Sequence, residues 1–139
     1  MPTVKGIQCS IELKGSGLCL REYDTSWVED VVECYVAIPN EPTDFIVHLT
    51  CSEYIAPVFS AFVYIDGVFQ CNRYKRGLLP RGKDGSLEKS KVDFRFKQKE
   101  EALQGNRMLA HPWRFERLNI GKSENTYFNS HMIVLTQLL

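Results

Sequence analysis

The densest run of side chains able to bind a charged partner lies between Arg73 and Lys91. Seven bases (Arg73, Lys75, Arg76, Arg81, Lys83, Lys89 and Lys91) stand against two acids (Asp84 and Glu88), a net of +5 over nineteen residues, with Tyr74 among them. Guanidinium groups grip carboxylates or phosphates through paired hydrogen bonds, ammonium groups act as point charges, and an aromatic ring adds contact area. Such a set suits an acidic segment of a protein partner. It also suits a nucleic acid, whose phosphates would meet the bases while Tyr74 stacks on a base. Arg73, Tyr74, Lys75, Arg76, Arg81 and Lys83 are therefore the candidate binding residues.

Other reactive side chains show no spacing that chemistry would need. His48, His111 and His131 are far apart and lie near no cysteine pair, so no metal-ligand pattern is present. The five cysteines (Cys9, Cys19, Cys34, Cys51 and Cys71) include no CxxC pair. Cys9 and Cys34 fall on apolar strand faces and read as inert core thiols, whereas Cys19 and Cys71 fall near strand ends. Glu29-Asp30 and Glu100-Glu101 are sequence neighbours, which point apart on a strand and cannot share a proton. Gly15 and Gly17 are too short a set for a dinucleotide fingerprint, and no phosphate-cradling GxxxxGK[ST] loop occurs. No catalytic residue, metal site or cofactor is assigned, and the expectation is a non-enzymatic protein.

The elements that must position the basic segment read as strands. In Ile7–Leu13 the apolar set is Ile7, Cys9, Ile11 and Leu13, with Gln8, Ser10 and Glu12 on the other face. Lys14–Gly17 is a turn and Leu18–Tyr23 reads as the return strand, leaving Asp24–Asp30 as a loop. Val31–Ile38 alternates again, with Val32, Cys34, Val36 and Ile38 inward, before Pro39 and Pro42 break the pattern. Phe45, Val47 and Leu49 mark the next strand and put His48 outward. Val58–Ile65, the longest apolar run, predicts a central strand that enters the hairpin turn Asp66-Gly67 and pairs with Val68–Tyr74. Phe62, Tyr64 and Phe69 form a binding patch or dimer seam if no second sheet covers them. Arg73–Ser90 reads as a long exposed loop, Lys91–Phe96 as a strand, Lys97–Ala110 as a short helix and Trp113–Ile120 as a last core strand. The apolar end from His131 to Leu139 fits either a strand or a helix.

At 139 residues, 44% hydrophobic and 24% charged, the chain has the balance of one globular domain, not of a disordered segment. Net charge is zero, but residues 1–70 hold ten acids and three bases (−7) and the remainder fourteen bases and seven acids (+7). That asymmetry points to a charged partner or to head-to-tail self-association, making a homo-oligomer one candidate assembly. No apolar run is long enough for a membrane helix, and neither a leader-like start nor an N-glycosylation site occurs. With no disulfide pattern either, the expected setting is cytoplasmic or nuclear, away from membranes.

Several segments together resemble an uncharacterised domain family widespread in fungal proteins. They are Gly6-Ile-Gln-Cys-Ser-Ile11, Leu20-Arg-Glu-Tyr23, Glu33-Cys-Tyr-Val-Ala-Ile38, Asp44-Phe-Ile-Val47, Val63-Tyr-Ile-Asp-Gly67 and Arg114-Phe-Glu-Arg-Leu118. The resemblance spans Val4 to Ile120 and implies an N-terminal β-sandwich followed by a variable tail, with no mechanism attached. The fold expected from the residues agrees with it: an all-β, antiparallel, jelly-roll-like sandwich with one long basic loop and at most one short helix. The sandwich would occupy residues 1–120, with 121–139 as a C-terminal tail or closing strand. The function expected is a protein-interaction module that takes an acidic or apolar partner segment on the 73–91 loop and the adjacent sheet face. Nucleic-acid binding through the same loop is the alternative.

Overall fold

Period-two alternation dominates the sequence, and the chain answers it with strands and no α-helix among the described residues. A computed structural model describes residues 2–82, 89–116 and, for the backbone alone, 133–137. The elements are β1 (Thr3–Val4), β2 (Ile7–Leu13), β3 (Glu22–Val28), β4 (Val31–Val36), β5 (Thr43–Cys51), β6 (Val58–Ile65), β7 (Val68–Arg76), β8 (Val92–Phe96), β9 (Gln98–Leu103), β10 (Arg107–Pro112), β11 (Arg114–Phe115) and β12 (Ile133–Gln137). Every pairing between these strands is antiparallel.

β5 organises the larger sheet. It pairs with β2 from Ile7↔Cys51 to Leu13↔Phe45. Along its other edge it takes first β8, with Val47↔Phe96 to Cys51↔Val92, and then β11, with Asp44↔Arg114. The smaller sheet has the order β12-β6-β7, so the apolar run Val58–Ile65 is its central strand. Asp66 (φ 52°) and Gly67 (φ 76°) make the β6–β7 turn, both in the left-handed region that a type I′ turn requires.

One buried cluster joins the two sheets. Phe45, Val47, Leu49 and Cys51 of β5, with Val92 and Phe96 of β8, meet Phe59, Ala61 and Val63 of β6 and Cys71 of β7. Phe45 stacks on Phe115 at 4.2 Å and on Trp113 at 5.7 Å. Two antiparallel sheets sharing one apolar interior are compatible with a β-sandwich.

Four local expectations change. Lys97–Ala110 is a β-hairpin and not a helix: Gly105 (φ 77°) and Asn106 (φ 60°) reverse the chain, and β9 pairs with β10 from Leu103↔Arg107 to Gln98↔Pro112. Asp24–Asp30 is mostly strand, because Trp27↔Val32 and Val28↔Val31 supply aromatic and β-branched cross-strand pairs. The return after Lys14–Gly17 is only one bridge, Glu12↔Cys19, before the chain leaves to form β3. Finally, Ser10 and Glu12, assigned to the solvent face of β2, are buried.

Candidate functional site

β7 runs through Arg76, so four of the six candidate residues sit on a strand and not on a loop. The long loop begins only at Gly77. Strand alternation then divides them, since neighbouring side chains leave opposite faces. Arg73 and Lys75 lie across from Ala61 and Phe59, on the side that carries the core. Tyr74 and Arg76 lie across from Ser60 and Val58, on the outward side. Arg81 lines a shallow depression with Ser52, Glu53 and Tyr54, none of which belongs to β6 or β7. Lys83 lies outside the described residues.

The inward pair is occupied. Arg73 donates from both terminal nitrogens to the Glu100 carboxylate of β9, at 2.9 and 2.5 Å. Its guanidinium also lies 6.0 Å from the centre of the Phe96 ring. The hydrogen bond from Arg73 holds the Glu100 carboxyl below the ordinary carboxylate range, and the same bond raises Arg73. Lys75 Nζ donates to the Lys91 carbonyl at 2.7 Å. These two bases brace β7 against its neighbours.

The outward pair belongs to an exposed aromatic face. Tyr74 is 63% exposed and the Arg76 guanidinium lies 5.3 Å from its ring centre, within cation–π range. Farther along the same face Tyr64 meets Phe69 edge to face at 5.7 Å, with half-buried Phe62 on the adjacent row. Phe69 reaches this face because of a β-bulge. Val63 pairs with Cys71 but Tyr64 pairs with Phe69, so Gln70 is the extra residue. Gln70 and Cys71 both turn inward, where the Gln70 side-chain oxygen accepts the Trp113 indole N–H at 3.1 Å. The patch anticipated from Phe62, Tyr64 and Phe69 is therefore only partly covered, and Tyr74 and Arg76 extend it.

A second polar cluster, absent from the sequence reading, occupies the opposite face of β5 from the core. Ser10, His48 and Arg95 form one cross-strand row over β2, β5 and β8. Buried Glu12 holds His48 Nδ1 at 2.5 Å and Arg95 Nη1 at 2.5 Å, while Asp93 holds His48 Nε2 at 2.9 Å. Both ring nitrogens of His48 are therefore engaged by carboxylate oxygens. Ser10 Oγ is buried and has no hydrogen-bond partner among the described residues. No ring nitrogen is left to take its proton, so Ser10, His48 and Glu12 do not form a nucleophilic triad. Sequence separations of 36 and 83 residues hid this cluster, since only the strand register brings the groups together.

Among the described residues no group of three or more His, Cys, Asp or Glu could hold a metal ion, and no helix is long and apolar enough to cross a membrane. No family model, curated protein or solved structure matches this chain.

Proposed function

We propose that the chain is a non-enzymatic protein-interaction module whose docking surface is the outward face of β6 and β7. Tyr74 and Arg76 form its basic end, and Phe62, Tyr64 and Phe69 its aromatic middle. The observation that carries this reading is the exposure of Tyr74 with a guanidinium stacked on its ring, in line with an exposed Phe69. Aromatic side chains and arginine dominate binding energy at protein interfaces because they bury large areas at low entropic cost. The partner chemistry is an acidic segment with apolar or aromatic side chains.

A labelled random copolymer of glutamate and tyrosine serves as the probe, read by fluorescence anisotropy. Tyr74→Ala and Arg76→Glu should each weaken binding by about tenfold or more while the fold is retained. Unchanged affinity in both variants would overturn the assignment. Nucleic acid is the second reading, favoured by the same guanidinium–ring stack, which can take a base and a phosphate together. Single-stranded DNA titrated across a salt series separates the two, because phosphate contacts give a steep log–log loss of affinity with salt.

A further inference from the structure

The acidic half of the chain concentrates on the β3–β4 ribbon. Residues 22–36 hold Glu22, Asp24, Glu29, Asp30 and Glu33 and no base. Among the described residues β3 and β4 pair only with each other. Its inner face is half-buried through Val32, Cys34 and Val36, and it is tethered by Lys5–Asp30 at 3.0 Å and by the Trp27 indole N–H on the Thr3 carbonyl at 3.4 Å. The outward face has a polar row between two apolar ones. Tyr23 stands opposite Tyr35, Val28 opposite Val31, and Glu33 opposite Ser26. Tyr35 is 61% and Val28 65% exposed. Pairs of large apolar side chains left open across a ribbon mark a surface that gains by being covered.

This ribbon is the chemical complement of the β6–β7 face. Each carries an aromatic cross-strand pair on its outward side, exposed Tyr23 and Tyr35 on one and half-buried Tyr64 with exposed Phe69 on the other. One carries exposed Glu33 and Asp24, and the other exposed Arg76. Strands of six to nine residues make both surfaces about 20–30 Å long. Both are exposed in the same molecule, so neither covers the other. The whole chain has zero net charge, and copies meet without long-range repulsion.

We propose that a second copy of this chain occupies the β6–β7 face, docking through the outward side of its β3–β4 ribbon. This rests on the reading of β6–β7 as a docking surface and names its occupant. The contact is head-to-tail: each copy keeps one free ribbon and one free face, so copies add into open chains or a closed ring. Glu33 and Asp24 supply the charges opposite Arg76, and the tyrosine and valine pairs supply the covered apolar area.

Sedimentation velocity of the full chain from low micromolar to hundreds of micromolar tests it. The sedimentation coefficient should rise with concentration and fall back in high salt. Arg76→Glu and Glu33→Arg should each weaken self-association by about tenfold or more, and an equimolar mixture of the two should recover it, because each pairs with the other's unaltered or reversed partner. A wild-type chain that stays monomeric, or a mixture that fails to associate, overturns the proposal. Copolymer binding then separates the two ideas: binding that depends on Tyr74 keeps the docking face and discards the second copy as its occupant, whereas no binding discards both.

Discussion

Burial pushes the Cys9 thiol up to about 12, and the neighbouring Cys34 and Glu22 push it the same way. Burial also takes Cys71 up to about 11, even though Arg73 pulls it down. Cys51 is buried and donates to the Glu53 carbonyl at 3.1 Å, whereas Cys19 is exposed. The thiolate is the nucleophile, so iodoacetamide near pH 8 should label Cys19 first and leave Cys9 and Cys71 slow until denaturant is added. Peptide mass spectrometry follows each site, and equal rates at Cys9 and Cys19 would contradict the packing. A thiol raised from an ordinary 9.0 is favoured protonated in the folded state, so its contribution is complete below that value and is lost as pH rises toward 12. The inward setting of Cys9 and Cys34 follows from alternation in the sequence. Cys71 does not fit its strand-end assignment, because β7 continues five residues past it.

At the scale of elements, the β7 bulge decides which side chains of that strand face solvent. Without the extra residue, strict alternation back from Cys71 would bury Phe69 and expose Gln70. Gln70→Leu keeps side-chain volume but removes the acceptor of the buried Trp113 N–H, which should cost about 1–3 kcal/mol in chemical denaturation. No loss would mean that Trp113 finds another acceptor. The β9–β10 ribbon depends on a different brace. Its second strand is exposed throughout, and Glu100 is held by Arg73. Glu100→Gln should speed amide hydrogen exchange across β9 and β10 while leaving β5 and β6 protected. The brace is present above the ordinary carboxylate range and is lost as pH falls through the lowered value of Glu100. Arg73, a candidate binding residue by sequence, is engaged by Glu100, a contact invisible until β9 is known to be a strand beside β7.

At the scale of the whole molecule, β5 gathers partners from across the chain: β2 before it, and β8 and β11 after a long excursion. The Arg114–Asp44 hydrogen bond at 2.7 Å spans 70 residues, and Arg95–Glu12 spans 83. Five acids of the first half lie within residues 22–36, whereas on β7 Arg73 and Lys75 of the basic half are engaged and Arg76 stays exposed. Composition, alternation and the Asp66-Gly67 turn were enough to determine an all-β antiparallel protein, its central strand β6 and most inward-facing residues. Each of these follows from local rules, the two-residue period of a strand and the positive φ that a type I′ turn demands. The bulge at Gln70, the split of the basic run between two faces, the hairpin at Lys97–Ala110 and the Glu12–His48–Asp93–Arg95 cluster were decided only by tertiary structure. Each depends on register between strands distant in sequence, and a shift of one residue there moves every side chain to the other face.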